Sequence, residues 1–482
     1  MKKYKFFLIL NLFLGSWVAL CDPWIMPEEE LFVKKLEFYS IRDGFSIDSS
    51  SYPIPWALAR NPTEDVYQNY SEMTNYRIIL ENKLEKSSKQ NINKIKLRSN
   101  SSIYPFRTID AKTKDINSFA ISSSYLGERF ATKLTVNVSE NPFHEKEYYF
   151  DDSYIALVSG NFILGIGNYD RWWGPSHHAS LILSNYSRNA PGLFIRSLEG
   201  FTSPFPIIRS FGKLNFSFFV NQLESNRAVK KPYLIGGRLS MNPINGLTIG
   251  LTRTIMFGGK GKDNSFGALW DSIRGDASVG SGSGNLNVDN ELAGLDIKYS
   301  FDINEVVWSL YLQYIGEDGT DYWPWRTFYI FGSEFIFSNN EMIQSINFEY
   351  INTYYNGADI GTNVIYEHSS YSSGYRYKGS PIGAFMDGDS NYGHLSYNGQ
   401  LNETIELKFS IFYGNFNKDN SGTRNTWGIN NREFYGSTLG LDFILEKDIK
   451  VGFFLTHINE ELTYRNRSLD RNIGGLSFDY NF

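Results

Sequence analysis

The six residues Asp170-Arg171-Trp172-Trp173-Gly174-Pro175 put an acid, a guanidinium and two indoles directly ahead of a Gly-Pro bend. Indole faces stack on the C–H faces of pyranose rings, so the pair has the chemistry of a sugar site. The stronger expectation is structural: two tryptophans packed at a bend, each indole N–H on a buried acceptor, with Asp170 and Arg171 as an internal ion pair. Ser176-His177-His178 follows. Adjacent histidines on a strand point to opposite sides and no further His or Cys stands at ligand spacing, so no metal is expected. Asp387 and Asp389 have the look of paired glycosidase carboxylates. Nothing nearby in the sequence tunes either acid, and a Gly-rich turn or a surface Ca²⁺ contact accounts for them better. No Ser-His-Asp arrangement can be inferred, so neither an enzymatic activity nor a cofactor is expected.

Aromatic segments within long connections are the better binding candidates. Asp321-Tyr322-Trp323-Pro324-Trp325-Arg326 gathers three rings and a guanidinium in one loop. Tyr371, Tyr375, Arg376, Tyr377 and Lys378 form a second surface, while Trp270 and Trp427 stand alone in their loops. A solvent-facing aromatic cluster with no core to fill points to a ligand. The competing explanation is the ring of aromatics that membrane barrels place at the lipid headgroups. Arg227, Lys230, Lys231, Lys260, Lys262, Arg424, Arg465 and Arg467 would suit an acidic polymer, although acids lie among them.

These side chains need a scaffold, and the N-terminus says where it resides. Lys2, Lys3 and Lys5 precede an apolar run from Phe6 to Leu20, a secretory signal too short to cross about 30 Å of hydrocarbon. Cleavage fits best after Cys21, the only cysteine, so no internal disulfide holds the exported chain. Leu20 is bulky where a lipidation signal wants a small residue. With 32 Tyr, 37 Phe, abundant Gly and a mean hydropathy of -0.33, the composition points to a transmembrane β-barrel, with a soluble all-β fold as the alternative. A net charge of -6 argues against nucleic acid.

The exported chain starts helical. Pro27, the acidic run Glu28-Glu29-Glu30 and the stop at Gly44 frame one helix. Asn61-Pro62-Thr63-Glu64 opens a second that runs to about Ser88. From Ile95 the period becomes two. Leu476, Phe478, Tyr480 and Phe482 share a face opposite Ser477, Asp479 and Asn481, as a strand between lipid and a polar lumen requires. Short turns fall near residues 446–448, 401–403, 338–340, 302–304 and 242–246. Long connections fall near 460–471, 415–433, 354–390, 316–326, 257–290 and 221–232. If the C-terminus is periplasmic, the long set is extracellular. Twelve strands fit after Lys213 and six between Ile95 and Arg196, an antiparallel barrel of about eighteen strands.

The stretch from Asp170 to Ser187 resembles the signature of the Wzi family of outer-membrane capsule assembly proteins. Asp22-Pro23-Trp24 and Tyr52-Pro53-Ile54-Pro55-Trp56 resemble that family's helical N-terminus. Ala293-Gly294-Leu295-Asp296 and Gln313 to Asp318 resemble its middle. Tyr366-Glu367-His368, Gly374 to Tyr377 and Asp387 to Ser390 resemble its late loop. Ser176-His177-His178 departs from the family pattern, which puts the local contacts there in question. The resemblance implies a barrel plugged by helices that acts as a lectin tethering capsular polysaccharide, without enzymatic activity.

The reading is therefore an all-β transmembrane barrel (residues 95–482) after a signal peptide (1–21) and a helical plug segment (22–94). It would sit in the bacterial outer membrane with its external loops at the cell surface. The expected partners are capsular or extracellular polysaccharide, outer-membrane lipid and polysaccharide export machinery. A saccharide channel and an outer-membrane glycan or lipid hydrolase are the alternatives. The strand count puts Asp170 to Pro175 in the first third of the wall, at a packed bend or plug contact. Binding is expected in outer loops such as the one with Trp323 and Trp325.

Overall fold

The computed structural model describes residues 23–482 apart from 61–74, 89–91, 111–113, 128, 142, 144–145, 275–288, 321–322, 358–361, 422–423, 430–432 and 447. Eighteen antiparallel strands close into one barrel. The first six are β1 (Asn93–Asn100), β2 (Asn117–Leu126), β3 (Phe130–Glu140), β4 (Tyr148–Tyr149, resuming as Tyr154–Ser159), β5 (Phe162–Gly167) and β6 (Gly192–Ser197). The next six are β7 (Lys213–Gln222), β8 (Tyr233–Asn242), β9 (Leu247–Phe257), β10 (Asn290–Ile303), β11 (Val306–Thr320) and β12 (Trp323–Asn339). The last six are β13 (Met342–Asn352), β14 (Asn391–Asn402), β15 (Ile405–Asn415), β16 (Phe434–Glu446), β17 (Ile449–Ile458) and β18 (Asn472–Asn481). Strand β18 pairs with β1 to close the ring, and Arg98 meets Asp479 at 2.6 Å on the inner face of that seam.

Alternation sets which face meets lipid. Leu476 and Tyr480 of β18, Phe409 and Ile411 of β15, and Leu439 of β16 are exposed, while Ser477 and Asp442 on the opposite parity are buried. The short turns are tight because Asn304-Glu305 and Asn340-Glu341 each adopt positive φ at both central positions, the geometry that two-residue hairpins favour. The expected turns and most of the expected long connections match. One does not: residues 316–326 are no long loop. Strands β11 and β12 run through them, with Thr320 opposite Trp323 and Gly319 opposite Pro324, leaving two connecting residues.

The lumen is filled from both ends. Helix α1 (Glu30–Arg42) follows a 3₁₀ turn begun by Pro27 and stops at Asp43 and Gly44, whose φ of 88° only glycine takes freely. It enters from the periplasmic side, where Arg42 meets Asp302 at 3.3 Å and Glu305 at 3.1 Å on the β10–β11 turn. Helix α2 (Asn75–Ser88) ends where the sequence predicts, and the expected cap at Asn61 lies outside the described residues. From the extracellular side, the described parts of the connections 101–116, 168–191 and 353–390 fold inward, where the Ile109 N–H donates to the His177 carbonyl at 2.8 Å and the Ser184 N–H to the Ile382 carbonyl at 2.9 Å. Asp170 to Pro175 is thus not part of the wall: it belongs to the β5–β6 connection, where Trp172–Trp173 pairs with Ser51–Tyr52 inside the barrel. A connection that carries buried rings is held where a polar wall can satisfy its backbone. Two short helices lie elsewhere: α3 (Pro206–Arg209) and α4 (Phe266–Arg274).

Candidate functional site

The signature hexapeptide is held by wall side chains that point inward. Gln313 of β11 donates from Nε2 to the Trp173 carbonyl at 2.9 Å and accepts from the Leu181 N–H at 2.9 Å. Gly174 has a φ of 131°, and an added Cβ there would stand 2.5 Å from Gln313 Nε2, so glycine is required. The Trp172 indole N–H donates to the Ser176 carbonyl at 2.9 Å, and both tryptophans are buried. The expected Asp170–Arg171 pair does not form. Asp170 pairs with Lys114 at 2.6 Å, and the Arg171 guanidinium lies 4.3 Å from the Tyr169 ring centroid and 4.9 Å from that of Phe219. Adjacent residues on an extended backbone face apart, which sends the two charges to different partners.

His177 and His178 use that same divergence. Both backbone N–H groups donate to the Glu349 carboxylate, at 2.6 and 3.1 Å. The His177 ring lies between Glu30 of α1 (2.8 Å) and Glu334 of β12 (3.1 Å), and Lys34 reaches Glu30 (3.0 Å) and Glu334 (2.7 Å). Burial opposes the charge on His177, but the carboxylates of Glu334 and Glu30 push its pKa up to about 9. Lys34 and His177 hold Glu30 well below the usual carboxylate range against its burial. His178 differs. Burial and the charge of its neighbours push it well below an ordinary histidine, and its ring centroid lies 3.4 Å from that of His394. These two adjacent histidines therefore carry different charge at neutral pH. His178 and His394 line an internal cavity of about 160 Å³ between plug and wall, together with Tyr104, Phe106, Arg107 and Lys408.

At the extracellular mouth, the inward-folded connections meet in a cleft lined by Phe143, Tyr186, Tyr377, Lys378, Tyr464 and Arg465. Rings and cations alternate there. Arg465 lies over Phe143 at 4.1 Å and Arg107 over Tyr186 at 4.3 Å; Arg188 and Lys378 lie over Tyr149 at 3.6 and 5.0 Å. The Tyr186 hydroxyl donates to Tyr464 at 2.8 Å, and Arg188 is held by Asp115 at 2.5 Å and by Asp151. Burial lowers the pKa of the Lys378 ammonium and the Arg465 guanidinium, as happens when nearby acids do not offset desolvation of a cation. Tyr104 and Arg107 line both this cleft and the internal cavity.

Most of the sequence-predicted surface is not surface. Tyr371, Tyr375, Arg376, Tyr377 and Trp427 are buried, so they serve the plug core and only Tyr377 reaches the cleft. The Tyr375 hydroxyl bonds the Ile182 carbonyl at 2.8 Å, and the Trp427 indole N–H bonds the Phe385 carbonyl at 3.1 Å. Arg376 forks onto Asp387 at 2.9 and 2.7 Å, and Asp387 also accepts from Thr426 N–H and Oγ1. That locks Asp387 out of any dyad. Asp389 does depart from expectation: burial, with Asp419 and Asp387 adding charge repulsion, pushes its pKa up to about 7. Tyr322 lies outside the described residues, Trp323 and Trp325 stand on β12, and Arg326 pairs in register with Glu317. Trp270 is half-exposed on α4. Phe143, Tyr186 and Tyr464 escaped the sequence reading because each is a lone ring in a different loop. Glu334 and Glu349 left a faint trace, as acids on the inward parity of apolar-rich strands.

Residues 108–459 match the family model described as capsule assembly protein Wzi. The chain belongs to the Wzi family. The fold agrees over nearly all of the chain: the solved structure of Wzi, an Escherichia coli outer membrane protein involved in group 1 capsule assembly and a carbohydrate binding β-barrel, superposes with a TM-score of 0.81. That match covers 96% of this chain and 100% of the other at 20% identity. An uncharacterized 55.8 kDa protein in the cps region of Klebsiella pneumoniae is 28% identical over 222 residues, 45% of this chain and 43% of that protein. The alignment thus spans less than half of that relative. This Wzi-family barrel is an outer-membrane protein whose wall crosses with strands.

Proposed function

We propose that this protein is a non-catalytic lectin that binds acidic capsular or extracellular polysaccharide and tethers it at the cell surface. The mouth cleft carries the reading: Phe143 is a partly exposed ring on which a sugar can pack, Tyr186 and Tyr464 form the buried aromatic base beneath it, and Lys378 and Arg465 are desolvated cations suited to carboxylates. The carbohydrate-binding E. coli barrel of the same fold supports it. Many weak contacts along one polymer would retain it without a deep pocket. The inward-folded plug and the locked Asp387 favour tethering over conduction and over hydrolysis.

The test is sedimentation of the purified protein with the native surface polysaccharide, comparing the parent with Lys378→Ala/Arg465→Ala and Phe143→Ala. Binding should fall at least tenfold in the double variant and weaken with salt. Equal binding by all three proteins would remove the cleft from the proposal. Open-pore currents in planar bilayers would favour the saccharide channel, and shortened polymer after incubation would favour the hydrolase.

A further inference from the structure

Helix α4 lies on the outside of the wall. Ile255 and Phe257 share the outward face of β9 with Leu251, which is 46% exposed, yet they are only 5% and 7% exposed. The cause is α4: Ala268 and Leu269 pack on them, and Tyr233 of β8 joins the cluster. Arg253, on the same face, donates to the carbonyls of Ile273 at 2.6 Å and Ser272 at 2.9 Å, closing the helix C-terminus against the strand. With Ala268 and Ser272 turned to the wall, Phe266, Trp270 and Ile273 form the opposite stripe, 77%, 50% and 40% exposed. Their spacing of four and three residues puts all three on one face.

Basic residues stand next to that stripe. Tyr233 also lines a groove of about 340 Å³ with Lys230, Lys231, Lys260 and Asn264. The Lys260 N–H bonds the Lys230 carbonyl at 2.8 Å, tying the two connections together. Among the described residues, none of the three lysines has an ion-pair partner. The nearby acids are otherwise engaged: Asp271 pairs with Arg274 at 3.0 Å, and Asp263 accepts the Ser265 N–H at 2.7 Å.

We infer that α4 is a membrane-interface anchor, its Phe266-Trp270-Ile273 stripe seated in the outer leaflet and Lys230, Lys231 and Lys260 holding the phosphates of the lipids around it. The lipid-facing wall settles the occupant. The stripe continues the outward face of β9 and β10, where Leu251 and Ile297 already meet acyl chains, at the extracellular ends of those strands. An apolar helix face beside a cluster of lysines matches the order of acyl chain and headgroup in a leaflet. A polysaccharide offers the lysines a partner but offers three large apolar side chains none.

The test uses the full chain reconstituted in vesicles of phosphatidylcholine, with or without phosphatidylglycerol. Cys21 is the only cysteine, so a Cys21→Ser background allows single nitroxide labels at Trp270→Cys, Ile273→Cys and, as a solvent control, Asp263→Cys. The ratio of oxygen to nickel-chelate accessibility should be several-fold higher at 270 and 273 than at 263. Phosphatidylglycerol should raise it further, and Lys230→Gln/Lys231→Gln/Lys260→Gln should abolish only that increment. Water-like ratios at 270 and 273 would overturn the anchor. An increment surviving in the triple variant would overturn the headgroup contact. Protection of the labels by soluble acidic polysaccharide in place of lipid would make this face part of the sugar site and sink the proposal.

Discussion

The connection from Thr353 to Ser390 and the helix α4 both follow long strands on the extracellular side, and both are rich in rings. In the first, Tyr366, Tyr371 and Tyr375 are at most 1% exposed; in the second, Phe266 is 77% exposed and Trp270 50%. The difference lies in what each finds to satisfy. The 353–390 connection has wall acids to receive its backbone, as when Glu317 accepts the Tyr366 N–H at 2.8 Å, and an internal Arg376–Asp387 pair to pin it. Helix α4 bonds its own backbone, so it needs no wall acceptors and can lie against apolar Ile255 and Phe257 outside. Aromatic content alone does not mark a binding loop in a barrel. A polar lumen draws in connections that need partners, and lipid keeps those that do not.

The sharpest way to break this comparison is to unpin the inward connection. Arg376→Ala leaves Asp387 buried and unpaired, which should cost roughly 3–5 kcal/mol and open the 353–390 connection to protease, read by urea unfolding in detergent and by limited proteolysis. Arg376→Lys should recover only part, since an ammonium cannot fork onto the carboxylate. If both variants keep full protection, the pin is not what holds the loop inside.

Next comes pH. The pKa of His177 is raised from 6.5 to about 9, so the stability it contributes is complete below 6.5 and is lost as pH rises through 9. A loss on the order of 3 kcal/mol is expected across that window, and His177→Gln should flatten it. Asp389 works in the same sense at lower pH: its pKa is raised from 3.8 to about 7, so its neutral form is favoured in the fold, and acidification through about 7 should tighten the 353–390 connection, measured by hydrogen exchange. Tyr464→Phe, which removes the partner of the Tyr186 hydroxyl, should cost about 1 kcal/mol and weaken polysaccharide binding more than folding. Trp270→Ala should be the mildest, within about 0.5 kcal/mol in detergent, because its side chain is half-exposed.

Much of this architecture is legible one residue at a time. Alternation such as Leu476/Ser477/Phe478/Asp479 specifies a strand between lipid and polar interior whatever its neighbours are, and paired turn residues such as Asn340-Glu341 set where it reverses. That is why the strand number, the family and most connections follow from local pattern. The path of a connection does not, because it depends on partners hundreds of residues away. Trp173 is drawn inward by Gln313, His177 is charged by Glu30 and Glu334, and Asp170 turns from Arg171 to Lys114. The mouth cleft takes Phe143, Tyr186, Tyr377 and Tyr464 from separate loops, none conspicuous alone. Periodicity dictates the wall because each strand residue answers only to lipid or lumen. What fills the lumen, and what stays outside, is decided by charge and hydrogen-bond complementarity that exists only once the ring has closed.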